Sequence, residues 1–96
     1  MFMKISEVQP NNNATLEEIE VVSKGDIREF SKFGKTNRVC NCIVKDDSGE
    51  MQLTLWNEEI DTVEAGDKLK ITDGWVKEWN GNLQVSAGRN GKIEKI

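Results

Sequence analysis

From Val39 to Trp56 the chain reads V-C-N-C-I-V-K-D-D-S-G-E-M-Q-L-T-L-W, two alternating apolar and polar runs parted by a polar quartet. Asp46-Asp47-Ser48-Gly49 predicts a tight turn, Asp and Ser favouring type I and Gly49 supplying a positive φ. In the second run Met51, Leu53 and Leu55 point to one face, while Gln52, Thr54 and Trp56 point to the other. The largest apolar side chain of this hairpin therefore sits on its polar side. A tryptophan so placed is either covered by another element or offered to a ligand.

The same pattern organises the rest. Residues up to Asn13 read as a lead-in, with Ile5 and Val8 apolar and Gln9-Pro10-Asn11-Asn12-Asn13 turn-forming. A strand is expected from Thr15, with Ile19 and Val21 against Glu18 and Glu20. Gly25 interrupts it as a bulge or bend, and it continues through Ile27 to Phe30. Beyond the bend Arg28 and Phe30 share a face. Ser31 to Lys35 reads as a polar loop. After Trp56, Asn57 suits a helix N-cap, Glu58 and Glu59 a first turn, Ile60 and Val63 an apolar i, i+3 pair, and Ala65-Gly66-Asp67 a stop. A fourth strand covers Lys68 to Trp79, with Leu69 and Ile71 on one face and a bend at Gly74. Asn80-Gly81 is a hairpin signal, and the fifth strand turns Leu83, Val85 and Ala87 inward. Gly88-Arg89-Asn90-Gly91 reads as a further turn, and Ile93 and Ile96 close the chain. Three strands, a short helix and two strands fit an all-β, five-stranded Greek-key OB-fold barrel with the helix between strands 3 and 4. An SH3-like barrel competes, but it places no helix there.

Composition narrows the chemistry. The chain has 96 residues, a size suited to one domain. It has no histidine, no Gly-rich phosphate loop and no recognisable partner for a nucleophile, so no enzyme and no cofactor are expected. Cys40 and Cys42 lack the further Cys or His that a structural zinc requires, and they read as small core residues. Two residues apart on one strand, they are poorly placed to bridge each other. No apolar run approaches the roughly 20 residues of a membrane span, and Met-Phe-Met-Lys lacks the apolar stretch of a signal peptide. The expectation is an intracellular, reducing setting with no membrane partner.

The net charge of −4 argues against nucleic acid, but its distribution does not. Lys24, Arg28, Lys32, Lys35, Arg38 and Lys45 face only Asp26 and Glu29 in their segment, whereas the stretch from Asp46 to Asp67 carries acids and no base. The segment from Trp75 turns basic again with Lys77, Arg89, Lys92 and Lys95. Trp75, Lys77 and Trp79 fall at i, i+2 and i+4 of one strand face. Taken as neighbours there, the two tryptophans would have Cα atoms roughly 6.5–7 Å apart. With Trp56 beside Gln52 and Thr54, and Phe30 beside Arg28, these rings form the pattern of a surface that stacks bases and holds phosphates. The candidate nucleic-acid-binding residues are Trp56, Trp75, Trp79, Phe30, Arg28, Lys32, Arg38, Lys77 and Arg89; none is assigned to catalysis or metal.

V-K-D-D-S-G-E-M-Q-L-T-L-W resembles the Asp-x-Ser/Thr-Gly-x-x-x-Leu-x-Leu-Trp hairpin of archaeal single-stranded DNA-binding proteins and of archaeal replication protein A OB domains. K-I-S-E-V-Q-P, V-E-A-G-D-K-L-K-I and W-V-K-E-W-N-G-N-L-Q-V-S-A-G-R extend the likeness over nearly the whole chain. The resemblance implies single-stranded DNA binding without strong sequence preference, in replication, recombination and repair. By position it makes Trp56, Trp75 and Trp79 base-stacking residues and Phe30 an apolar contact. Single-barrel members usually carry an acidic C-terminal tail that recruits proteins. This chain stops at Lys95-Ile96, and two readings stay open: a single-barrel protein, or one module of a tandem-barrel replication protein A.

Residues 1–96 are thus expected to form one nucleic-acid-binding domain with a lead-in over 1–14. Its partners would be single-stranded DNA, replication or repair proteins, and neighbouring OB modules in a longer chain. Its place would be the cytoplasm or nucleoid of an archaeon, or the nucleus of a eukaryote. Two alternatives stay open at this point: an RNA-binding barrel, since every base offers a π-face, and a protein-interaction barrel.

Overall fold

In the computed structural model, which describes residues 3–88 and 91–96, the alternation becomes six strands and two short helical turns. A 3-10 turn at Ile5–Glu7 precedes β1 (Asn13–Lys32), β2 (Lys35–Asp46) and β3 (Gly49–Trp56). The helix α1 (Glu58–Thr62) leads to β4 (Lys68–Trp79), β5 (Asn82–Ser86) and β6 (Lys92–Lys95). The first five strands pair in the order β1-β2-β3-β5-β4, and β4 returns to β1, so the sheet closes into a ring. Only β3 and β5 run parallel within it. The closed five-stranded barrel with a helix after its third strand is the OB-fold. The extra strand β6 lies on β4, with Ile71 opposite Ile93. Two apolar residues in a polar tail gave no strand signal. Ile93 packs on the core, whereas Ile96 does not close it and is 70% exposed.

The core follows the alternation. Leu16, Ile19 and Val21 of β1, Leu53 and Leu55 of β3, and Leu69 and Ile71 of β4 are all buried. Cys40 and Cys42 are free thiols buried among them. Burial first, then the neighbouring Cys40, pushes the Cys42 thiol up to about 11, so it stays protonated. β1 begins at Asn13, ahead of the expected Thr15, and takes the last two residues of the expected lead-in into the barrel. The remaining lead-in is pinned across the hairpin turn. Ile5 N donates to Asp46 Oδ2 at 2.9 Å, and Ser6 N donates to Ser48 Oγ at 3.0 Å. The same Asp46 carboxylate receives Ser48 N at 2.7 Å and Gly49 N at 3.2 Å. That carboxylate, rather than a positive φ at Gly49, holds the turn; Gly49 is not among the left-handed residues.

β1 is a single long strand that leaves the barrel. Register slips between Val21 and Ser23 and between Lys24 and Ile27 mark the departure, the second at the expected bend. A Cβ on Gly25 would collide with the Asn41 carbonyl, so only glycine fits where β1 crosses β2. Beyond it β1 and β2 continue as a paired arm to Lys32 and Lys35. The loop expected over Ser31–Lys35 shrinks to Phe33 (φ 52°) and Gly34 (φ 75°), the left-handed pair of a type I′ turn. Phenylalanine is an unusual residue there, which hid the turn.

The helix is shorter than expected and differently capped. It stops at Thr62, and Ala65-Gly66-Asp67 forms a separate turn before β4. Asn57 does not cap it: its Oδ1 accepts Arg38 N at 2.9 Å instead. Ile60 and Val63 are buried beneath it, as the i, i+3 spacing requires.

Candidate nucleic-acid interface

An irregularity in β4 decides which way the tryptophans point. Leu69 and Ile71 face the core, and strict alternation from them would carry Trp75 inward. The register against β1 slips between Leu16–Ile71 and Ala14–Gly74, with one extra residue on β4. Asp73 lies in the left-handed region at φ 50°. A Cβ on Gly74 would come within 2.8 Å of Ile71 Cγ2, 2.9 Å of Val85 Cγ2 and 3.0 Å of Ser86 O. The bulge at Asp73-Gly74 reverses the parity. Val76 is therefore buried, while Trp75, Lys77 and Trp79 turn outward.

The outer face can be followed rung by rung. Residues opposite one another in a ladder share a face. Arg28, Val39 and Trp56 make one rung across β1, β2 and β3. The next is Asn41, Thr54, Ser86, Trp75 and Asn13, one residue from each of the five barrel strands. A third joins Ile43, Gln52, Gln84 and Lys77, and Asn82 stands opposite Trp79. Phe30, on the face of Arg28, meets the Trp56 ring edge-on, with centroids 6.0 Å apart and planes at 83°. Trp56 and Trp75 line a groove of about 560 Å³ with Asn13, Asp73, Lys77 and Ser86. Exposures of 42% for Trp56, 37% for Trp75, 67% for Trp79 and 40% for Phe30 leave each ring a free surface. Trp75 and Trp79 are four residues apart, hence roughly 13 Å along the strand rather than 6.5–7 Å. Two adjacent nucleotides cannot take one ring each; the gap leaves space for bases between them.

Four of the five cations are described. Arg28, Lys32 and Lys77 are exposed and share the face of the rings. Among the described residues none of the three forms an ion pair. Lys32 Nζ lies 5.6 Å from the centre of the Phe33 ring at the arm's tip. Arg38 points the other way, on the face of Cys40 and Leu55. Its guanidinium holds Asp61 through contacts of 2.9 and 3.3 Å and donates to Asn57 O at 3.2 Å. The hydrogen bond and the charge of Arg38 keep the Asp61 carboxyl below its ordinary value. The inward parity of Cys40 and Cys42 was the signal that separates Arg38 from the rings. Arg89, with Asn90, lies outside the described residues.

Sequence reasoning missed Asn13, which joins the face because β1 closes on β4 opposite Trp75. Such long-range pairing has no local signal. A larger groove, about 690 Å³, is lined by Glu7, Glu17, Glu18, Glu20, Asp46 and Asp47 with three lysines. It shares no residue with the aromatic groove. Its acids disfavour a polyanion, so size here does not mark the site.

Residues 18–93 match the tRNA anti-codon family, described as an OB-fold nucleic acid binding domain. The chain is similar to a single-stranded DNA binding protein, Ssb, of Saccharolobus solfataricus, at 26% identity over 93 residues. That match covers 97% of this chain and 63% of the Ssb protein. It is also similar to a replication factor A of Methanothermobacter thermautotrophicus, at 29% identity, covering 95% of this chain and 12% of that protein. The chain thus spans less than two thirds of one relative and a small part of the other. Among solved structures, the second OB-fold domain of replication protein A from Methanococcus maripaludis has 36% identity and a TM-score of 0.80. That match covers 100% of this chain and 95% of that one.

Proposed function

Because the chain belongs to the family of OB-fold nucleic acid binding domains, among archaeal replication protein A OB domains, we propose that it binds single-stranded DNA without selecting sequence. Bases stack on Trp56, Trp75, Trp79 and Phe30, and phosphates are held by Arg28, Lys32, Lys77 and Arg89. The carrying observation is the outer face itself, on which the Asp73-Gly74 bulge sets the half-free Trp75 beside Trp56 and Trp79 further along the same face, with Lys77 between them and in no ion pair among the described residues. An aromatic stack contributes about 1–3 kcal/mol per base and tolerates any base. Residues 1–96 act as one domain, working beside neighbouring OB modules and other proteins of replication, recombination and repair. The small share of the replication factor A that it spans supports the modular reading.

The test is titration with oligo-dT, oligo-U and duplex DNA at two salt concentrations, followed by intrinsic fluorescence. Oligo-dT should quench strongly and duplex DNA much less, because duplex bases are already stacked on one another. Equal quenching by single strand and duplex at matched salt would refute stacking. Tighter binding of oligo-U would move the assignment to RNA.

A further inference from the structure

The floor of the face, between the rungs of Trp75 and Trp79, holds a pair of amides. Gln52 and Gln84 are partners in the parallel ladder, and Gln84 stands opposite Lys77. Gln84 Nε2 donates to Gln52 Oε1 at 2.7 Å, and both side chains are half-buried on the outer face. Gln84 is two residues from Ser86, opposite Trp75, and two from Asn82, opposite Trp79. It is thus about 6.6 Å along the strand from either ring's rung, within reach of the edge of a stacked base.

Each amide carries one carbonyl and one amino group. Their mutual bond joins the amino of one to the carbonyl of the other. The pair then offers the remaining amino and the remaining carbonyl side by side. Turning both amides over keeps the mutual bond and reverses the order of the two free groups. Unpaired Watson–Crick edges divide in the same way. Adenine and cytosine show an exocyclic amino donor beside a ring-nitrogen acceptor, while guanine and thymine or uracil show a ring N–H donor beside a carbonyl acceptor.

We propose that Gln52 and Gln84 form a reversible two-point reader of unpaired Watson–Crick edges, adding hydrogen bonds to stacking without choosing a base. The proposal rests on the single-strand reading above. It supplies a second reason to reject duplex DNA, in which those edges are already occupied.

The test compares a labelled dT oligomer with one of equal length whose thymines are replaced by difluorotoluene, which keeps the shape and the π-face but offers weak hydrogen bonding. The wild type should bind dT about tenfold more tightly, the worth of one or two net hydrogen bonds. A Gln52→Met/Gln84→Met variant should bind both probes within about twofold of each other, at the wild type's affinity for difluorotoluene. Equal binding of both probes by the wild type overturns the proposal, as does a double variant that keeps the full discrimination. If the double variant melts early, Gln84→Met alone carries the comparison. Failure of the wild type to bind either probe is a different result: it overturns the stacking reading and this proposal with it.

Discussion

Trp75→Ala and Trp79→Ala should cost similar affinity but unequal stability. Trp79 is 67% exposed, so only about a third of its side chain is covered, whereas Trp75 is 37% exposed and packs against Gly88. Taking about 250 Å² for a tryptophan, the covered areas are roughly 80 and 160 Å². At about 25 cal/mol per Å² these give ceilings near 2 and 4 kcal/mol. The retained alanine methyl and a compact unfolded chain reduce them to about 1 and 2 kcal/mol, and the difference is firmer than either figure. For a domain of this size that is a Tm about 4–8 °C lower for Trp79→Ala and about twice that for Trp75→Ala. Each should nevertheless lose about 1–3 kcal/mol of binding to oligo-dT, one stack's worth. The assay is thermal unfolding by circular dichroism beside anisotropy titration at a temperature where all variants are folded. Equal, large losses of stability with unchanged binding by the folded protein would show that the rings serve packing.

Other outcomes follow from the same face and its supports. The slope of log K against log salt should lie between about −1.4 and −2.8, for two to four phosphates at roughly −0.7 each, and a slope steeper than about −5 would show that phosphate contact dominates. Lys77→Gln should make that slope shallower, whereas Arg38→Gln should leave it nearly unchanged, since its guanidinium is occupied by Asp61. Gly74→Ala should lower the urea stability by about 1–3 kcal/mol, because the new methyl meets Ile71, Val85 and the Ser86 carbonyl; an unchanged midpoint would refute the packing argument. Burial opposes ionisation of Asp46, but hydrogen bonds from Ser48, Ile5 and Gly49 outweigh it and lower its pKa below 3.8. The stability it contributes is complete above that unfolded value and is lost as pH falls through the folded one. Acid titration of urea midpoints should therefore be shallower for Asp46→Asn than for the wild type.

The barrel was legible because its inward positions are small, regular and local. Met51, Leu53 and Leu55 announce β3, and Asn80-Gly81 announces the β4–β5 turn. The Phe33-Gly34 turn was not legible, since register across the arm imposes a left-handed φ on a residue that does not favour it. The reversal at Asp73-Gly74 was legible only as a bend. Trp75, Lys77 and Trp79 were read as outward from the lysine between them, and the extra residue that puts them there shows only in pairing with β1. Arg38 illustrates the converse. Its charge suggested a phosphate contact, while its parity with Cys40 already placed it on the opposite face.

The arm sets a second timescale within one small protein. Val39 is the first β2 residue with a β3 partner; beyond it Arg38, Asn37 and Phe30 are still tied to Asn57, Asp61 and Trp56, whereas the strand pairs Ser31–Thr36 and Lys32–Lys35 at the tip face only each other among the described residues. An isolated ribbon of two strands is marginal in water, whereas the closed ring opens only with the whole fold. Backbone amides at the arm's tip should therefore exchange with solvent deuterium long before those of Leu53 or Ile71. The Phe30–Trp56 contact ties the base of the arm to the barrel, so fraying should be confined to the residues beyond it. A ligand that bridges tip and barrel must supply the free energy of ordering the ribbon, so its dissociation should begin there, with the tip opening before the barrel lets go.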